Sequence, residues 1–364
     1  MADRVYNFSP GPAVLPLAAL EQAQRDLVAL PGVGMSVMEI SHRSKTFDAI
    51  FTETRQLLAE LIGIPAGYTM LFLQGGASLQ FAMLPMNFLR GVEKPADYVL
   101  TGTWGNKGKE EAEKQGQVNV VWDGKSHNYS YLPTAADLKL SADAAYLHVT
   151  SNETIQGVQF PGDPKFGTAP LVCDASSDFM CRPIDIRKYD VLYACAQKNA
   201  GIAGVAVVIL KDEMLERTAT GLPSMLDYRL HAKNDSLYNT PPVFAIYMLM
   251  LVCRWLKNDV GGLAKMEKRN REKAKLLYDV LDACGGFYQG HARPDSRSLM
   301  NVTFRLPNEE VETRFLTEAK THRLIDLKGH RSVGGIRASI YNAMPVEGVK
   351  TLAEFMTDFQ RRNG

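Results

Sequence analysis

The stretch Tyr189-Asp-Val-Leu-Tyr-Ala-Cys-Ala-Gln197-Lys198-Asn-Ala-Gly201-Ile-Ala-Gly204-Val-Ala-Val-Val-Ile-Leu210 decides the fold. Two apolar runs of strand length flank a short polar turn, and the turn carries a lysine. A lysine held so closely between strand-like segments is not placed as a freely solvated surface cation. A second run, Ala169-Pro-Leu-Val-Cys173, delivers Asp174 in the same manner. An amine and a carboxylate, each at the end of a buried strand, are the kind of pair that burial tunes for chemistry.

Working outward, the pattern alternates. The spacing predicts helices over 17–30 and 46–62, the first stopped by Pro31-Gly32 and the second by Gly63 and Pro65. Strands follow over 69–73, 97–101, 118–122 and 144–149, with helices over 78–89 and 106–115 between them. Strands separated by helix-like segments imply βαβ units and a mainly parallel sheet. Ligands bind such sheets beyond the carboxyl ends of the strands. Asp174, Lys198 and the Gly75-Gly76 turn all fall at such ends. After about Gly261 the character changes to a charged amphipathic helix over 265–283, a strand over 298–304 and helices over 309–322 and 346–362. The expected architecture is α/β: an N-terminal segment 1–15, a large domain 16–260 with a mainly parallel sheet flanked by helices, and a smaller α+β domain 261–364. The segment Asn7-Phe-Ser-Pro-Gly-Pro12 is too turn-rich for a helix.

Bulk numbers narrow the function classes. A chain of 364 residues with 46% hydrophobic and 22% charged residues has the make-up of a globular enzyme of two domains. A formal net charge of +1 gives no electrostatic case for nucleic acid or an acidic membrane. The longest apolar stretch, 242–253, is too short to span a bilayer. Met1-Ala-Asp-Arg-Val is not a secretory signal, and five cysteines in mostly apolar surroundings suit reduced thiols, so a cytoplasmic location is expected. No metal site is expected.

Several segments could carry chemistry beside Lys198 and Asp174. Gln74-Gly75-Gly76-Ala77-Ser78 joins a strand to a helix, where exposed amides can hold an anion; alone, it is also an ordinary turn with Ser78 as cap. Trp104, flanked by glycines after a strand, could stack on a flat ring or fill a core. His42-Arg43, His330-Arg331 and Arg337 are basic groups among small residues, suited to carboxylate or phosphate; each singly is as well read as surface charge. The amine and acid together suit pyridoxal 5′-phosphate, the amine as covalent carrier and the acid as partner of the pyridine nitrogen.

Taken together, Asn7–Pro12, Ser41-His-Arg-Ser44, Thr103-Trp104, Ser151-Asn-Glu-Thr154, Asp174-Ala-Ser-Ser177, Ala196–Gly201 and Gly329–Pro345 span nearly the whole chain. As an ordered set the chain resembles the phosphoserine aminotransferase family, class-V aminotransferases of fold-type I. The resemblance implies that Lys198 carries pyridoxal phosphate, Asp174 holds its ring nitrogen, Trp104 stacks on the ring and Thr154 bonds its phenolic oxygen. It further implies that Ala77, Ser78 and Gln197 contact the cofactor phosphate, and that Asn239 and Thr240 reach that phosphate from the partner in a homodimer. Ser9 and Arg337 belong to the implied substrate site, Arg337 on the α-carboxylate, with His42, Arg43, His330 and Arg331 around the distal anion. Some relatives carry an arginine where Ser78 stands, so the substrate phosphate lacks that partner here. The implied reaction moves an amino group from glutamate to 3-phosphohydroxypyruvate, giving O-phosphoserine and 2-oxoglutarate, in serine biosynthesis and, as an open extension, pyridoxine biosynthesis. The competing readings are an alanine–glyoxylate-type transaminase, which needs no distal anion site, a cysteine desulfurase, which needs a reactive thiol on a mobile loop, and a non-catalytic protein that keeps the fold.

Overall fold

The computed structural model describes residues 4–364; Met1-Ala-Asp3, where the expected N-terminal segment begins, lie outside the described residues. Seven strands form the central sheet: β1 (Tyr68–Leu73), β2 (Ala96–Leu100), β3 (Val118–Asp123), β4 (Tyr146–Thr150), β5 (Leu171–Asp174), β6 (Val191–Cys195) and β7 (Ala206–Lys211). Their spatial order is β1-β7-β6-β5-β4-β2-β3. β7 alone runs against its neighbours, pairing antiparallel with both β1 and β6. The reason is local. The connection from Cys195 to Ala206 is too short for the crossover of a dozen or more residues that a parallel return needs.

Strands β2, β4, β5 and β6 are buried along their whole length, because helices cover both faces. Successive side chains alternate between two cores. Phe72, Val99, Leu147, Cys173, Leu192 and Val207 face one way, onto the helices Lys45–Ile62 and Val243–Arg254. Leu71, Tyr98, Tyr146, Val172, Tyr193 and Val208 face the other, onto Phe81, Leu84 and Phe88 of the helix Gly76–Phe88 and Ala112 of the helix Thr103–Ala112. Local signals set the helix ends. Ser44 caps Lys45–Ile62 by accepting the Phe47 N–H at 3.2 Å, and Gly63 closes it in the left-handed conformation.

A third core gathers the C-terminal elements, the helices Leu263–Ala283, Glu309–Thr321 and Val346–Asn363 and a three-stranded antiparallel sheet of β8 (Gln289–Gly290), β9 (Asn301–Arg305) and β10 (Ile336–Ser339). Phe8 and Val14 are buried in this core, and Tyr6–Asn7 pair parallel with Leu324–Ile325. The N-terminal segment thus packs with the end of the chain.

One tight contact ties the two halves together. Gly157 has φ +69°, and an added Cβ would lie 2.6 Å from the Asn301 carbonyl oxygen of β9. Gly157→Ala is expected to destabilise the protein by about 1–3 kcal/mol, the usual range for a non-glycine residue forced into this region. Denaturant unfolding checks it; a variant as stable as the parent refutes the packing argument.

Candidate active site

The carboxyl ends of β1, β2, β4, β5 and β6 open into one cavity of about 290 Å³. Each strand delivers residues to its wall: Gly75 to Ser78 after β1, Trp104 after β2, Thr150, Asn152 and Thr154 from β4 onward, Asp174 and Ser176 at β5, and Gln197 and Lys198 after β6. Pro10 and Gly11 of the N-terminal segment and His330 and Arg337 of the C-terminal half close it.

Lys198 Nζ donates to Thr154 Oγ1 at 2.7 Å and lies 5.7 Å from the Trp104 ring centroid. Asp174 is buried, and its Oδ1 accepts the Ser176 N–H at 2.9 Å. Burial raises the Asp174 carboxyl above its ordinary value, while the Ser176 donors and the Lys198 charge act against that rise. Trp104 sits in the first turn of α1 (Thr103–Ala112) and not, as the expected start at 106 implied, in the loop before it. The cause is a cap supplied from far along the chain. Glu153 accepts the Trp104 and Gly105 N–H groups at 3.0 and 2.9 Å.

Arg337 has the most pointed electrostatics. It is 6% exposed, its Nε has no partner, and its guanidinium makes no hydrogen bond or ion pair among the described residues. Burial lowers its pKa. A buried, unpaired cation facing a cavity is costly unless an anion enters. His330 lies beside it, its pKa lowered by burial and by the Arg337, Arg331 and Lys107 charges. The chain a few residues past Arg337 is tied to the residue after Lys198. The buried Lys273 amine donates to the carbonyls of Ile340 and Tyr341 at 2.8 and 2.7 Å, and the next residue, Asn342, gives its N–H to Asn199 Oδ1 at 2.9 Å.

The other expected site residues lie apart within one chain. Ser9 and Arg331 do not line the cavity, although their neighbours Pro10 and His330 do. His42 and Arg43 line a different opening with Leu237. Asn239 donates to Gln74 Oε1 at 3.1 Å, and Gln74 donates to the Thr240 carbonyl at 3.0 Å, so this pair sits behind the Gly75-Gly76 turn. Sequence reasoning passed over Glu153 and Thr150. Thr150, whose buried Oγ1 has no partner, ends a strand beside Asp174, and the strand-end rule could have found it. Glu153 had no local signal.

The wall fits pyridoxal phosphate. The helix Gly76–Phe88 has no side-chain cap, which leaves its first amides open to a phosphate. Trp104 Nε1 and Thr150 Oγ1 are buried polar atoms without a protein partner, and Asp174 and Lys198 flank the same space. All five thiols are buried, and burial raises those of Cys173, Cys181, Cys195 and Cys253, which is the opposite of what a desulfurase nucleophile needs. Among the described residues no group of three or more His, Cys, Asp or Glu is placed to hold a metal, and no helix is long and apolar enough to cross a membrane.

Residues 5–352 match the family model of class-V aminotransferases. The phosphoserine aminotransferase of Rhodopirellula baltica is 54% identical over 362 residues, covering 99% of this chain and 96% of that protein. The solved phosphoserine aminotransferase of Bacillus circulans subsp. alkalophilus superposes with a TM-score of 0.97 at 48% identity, covering 100% of both chains. The pyridoxal phosphate-bound phosphoserine aminotransferase of Trichomonas vaginalis does so with a TM-score of 0.92 at 41% identity, covering 97% of this chain and 100% of that one.

Proposed function

Because the chain belongs to the class-V aminotransferase family, we propose that it moves an amino group from glutamate to 3-phosphohydroxypyruvate, giving O-phosphoserine and 2-oxoglutarate. Its cofactor is pyridoxal phosphate. The observation that carries the reading is Arg337, a buried and unpaired guanidinium opening on the same cavity as Lys198. A substrate α-carboxylate answers that charge.

In this reading Ala77 and Ser78, at the open start of the helix Gly76–Phe88, and Gln197 would receive the cofactor phosphate. Trp104 would stack on the ring, Thr154 would bond its phenolic oxygen, and Asp174 would hold a proton at its nitrogen. The bound cofactor supplies an electron sink for charge released at the substrate α-carbon. Lys198 Nζ carries the cofactor at rest. Freed by substrate, the same amine would take the α-proton as general base and return it as general acid. Thr154 Oγ1 keeps that amine in place. Arg337 orients the α-carboxylate so that the proton faces Lys198.

The distal anion site needs His42, Arg43, His330 and Arg331, with Ser9 beside the N-terminal wall. His42 and Arg43 share an opening with Leu237, which stands two residues before Asn239 and three before Thr240, so the two expected groups lie near one another along the chain surface. A second copy of the chain that brings this face to the cavity mouth would complete both the phosphate site and the distal site, and we read the protein as a homodimer for that reason. The five unbridged, buried thiols favour the cytoplasm.

Two results test this. O-phosphoserine added to the cofactor-loaded protein is expected to convert the absorbance band of the lysine-bound cofactor, while serine is not. Equal conversion by serine overturns the substrate. Arg43→Ala is expected to weaken O-phosphoserine binding roughly 10- to 100-fold, the loss of a charge-assisted hydrogen bond, with cofactor affinity unchanged. Equal loss in both makes the residue structural.

A further inference from the structure

Glu153 is fully buried, one residue before Thr154. Its carboxylate oxygens accept the N–H groups of Trp104 and Gly105 at the start of α1, whose preceding residue, Gly102, offers no side-chain cap. Gln156 grips the same turn. It accepts the Thr103 N–H at 3.4 Å and donates to Thr103 Oγ1 at 3.0 Å. At Gly102 there is no space for a side chain, since a Cβ would lie 2.5 Å from Gln156 Oε1 and 2.6 Å from Glu153 Cδ.

A helix start is ordinarily capped by a serine, threonine or aspartate immediately before it, at the surface and at little cost. Here the cap is a buried carboxylate brought from another strand. Burial raises its pKa to about 7 against the two amide donors, with Asp174 adding to the rise and Lys198 opposing it. Such a group is expensive to keep for capping alone. Its position offers a reason. Thr154, the next residue, holds Lys198 Nζ at 2.7 Å. Adjacent residues therefore set the backbone of Trp104 and the amine of Lys198, and so the 5.7 Å between ring and amine.

Resting on the pyridoxal phosphate reading above, we propose that Glu153 is a positioning residue that fixes the Trp104 ring against the cofactor through the first turn of its helix, in register with Thr154 and Lys198. A residue acting through Trp104 must lose its effect when Trp104 is replaced, whereas one that merely supports the fold must not.

The experiment is a double-mutant cycle on the apo-protein, reading pyridoxal phosphate affinity by titration for the parent, Glu153→Gln, Trp104→Phe and the double variant. Glu153→Gln is expected to weaken binding about 10-fold with Trp104 present and less than about 2-fold in the Trp104→Phe background. Near-ultraviolet circular dichroism of the same apo-proteins reads the ring directly: the signal that Trp104→Phe removes is expected to be lost in Glu153→Gln as well. Gly102→Ala, which keeps the carboxylate but crowds it, is expected to show the same dependence on Trp104 and serves if Glu153→Gln does not fold. Equal loss in both backgrounds, or no loss in either, overturns the proposal. A parent protein that binds no pyridoxal phosphate overturns the cofactor reading first, and is told apart because no substitution is involved.

Discussion

Lys198→Ala is expected to abolish transamination, with kcat/KM falling on the order of 10⁴-fold or more, the upper range for loss of a positioned acid–base group. The size follows from where the lysine stands. Among the described residues it is the one lysine lining the cavity, so no second lysine there can take the α-proton. Lys107 comes within 4.6 Å of the Trp104 ring, closer than Lys198 does, but it is exposed on the helix and does not line the cavity. Folding should survive. Lys198 is half-buried, and among the described residues its one polar partner is the Thr154 hydroxyl. The variant should therefore melt within a few degrees of the parent, lack the absorbance band of the lysine-bound cofactor and turn over no substrate. Substantial turnover in a correctly folded Lys198→Ala protein removes the basis of the mechanism.

Much of this was legible in the chain because strand ends are legible. Leu171–Asp174 and Val191–Cys195 are apolar runs that stop at a polar residue, and the sheet carries both stops to one side. Arg337 was legible for its chemistry, although its isolation from every carboxylate needed coordinates. What the sequence hid is long-range. The direction of β7 depends on how far the chain can reach between two strands. The start of the helix that carries Trp104 depends on Glu153, an acceptor in another element, so a local reading placed that start too late. The burial of Phe8 and Val14 with the C-terminal helices depends on pairing between the two ends of the chain. His42 and Arg43 read as a basic pair suited to an anion, but composition cannot say which cavity, or which copy of the chain, a surface arginine serves.

Asp174→Asn should separate stability from function. The side chain is 3% exposed, and burial is the largest influence on its carboxyl, raising the pKa. A raised value means that the folded apo-protein binds the proton more tightly than the unfolded chain. The favourable contribution is thus complete in acid and is lost as pH rises through the folded value; above that window the cost of the buried charge is constant. Asparagine removes the charge and keeps an oxygen that can accept the Ser176 N–H. The apo variant is therefore expected to melt at or above the parent at neutral pH, with the advantage fading in acid. Catalysis should move the other way. In the proposed reading Asp174 is the partner of the ring nitrogen, and an amide holds no proton there, so turnover is expected to fall on the order of 10²- to 10³-fold, as when a preorganised charge partner is removed. Melting curves of the apo-proteins across pH, paired with turnover of the loaded ones, read both effects. A variant that loses stability and activity together at neutral pH would make Asp174 a structural carboxylate, and one that keeps activity within a few-fold would remove it from the chemistry.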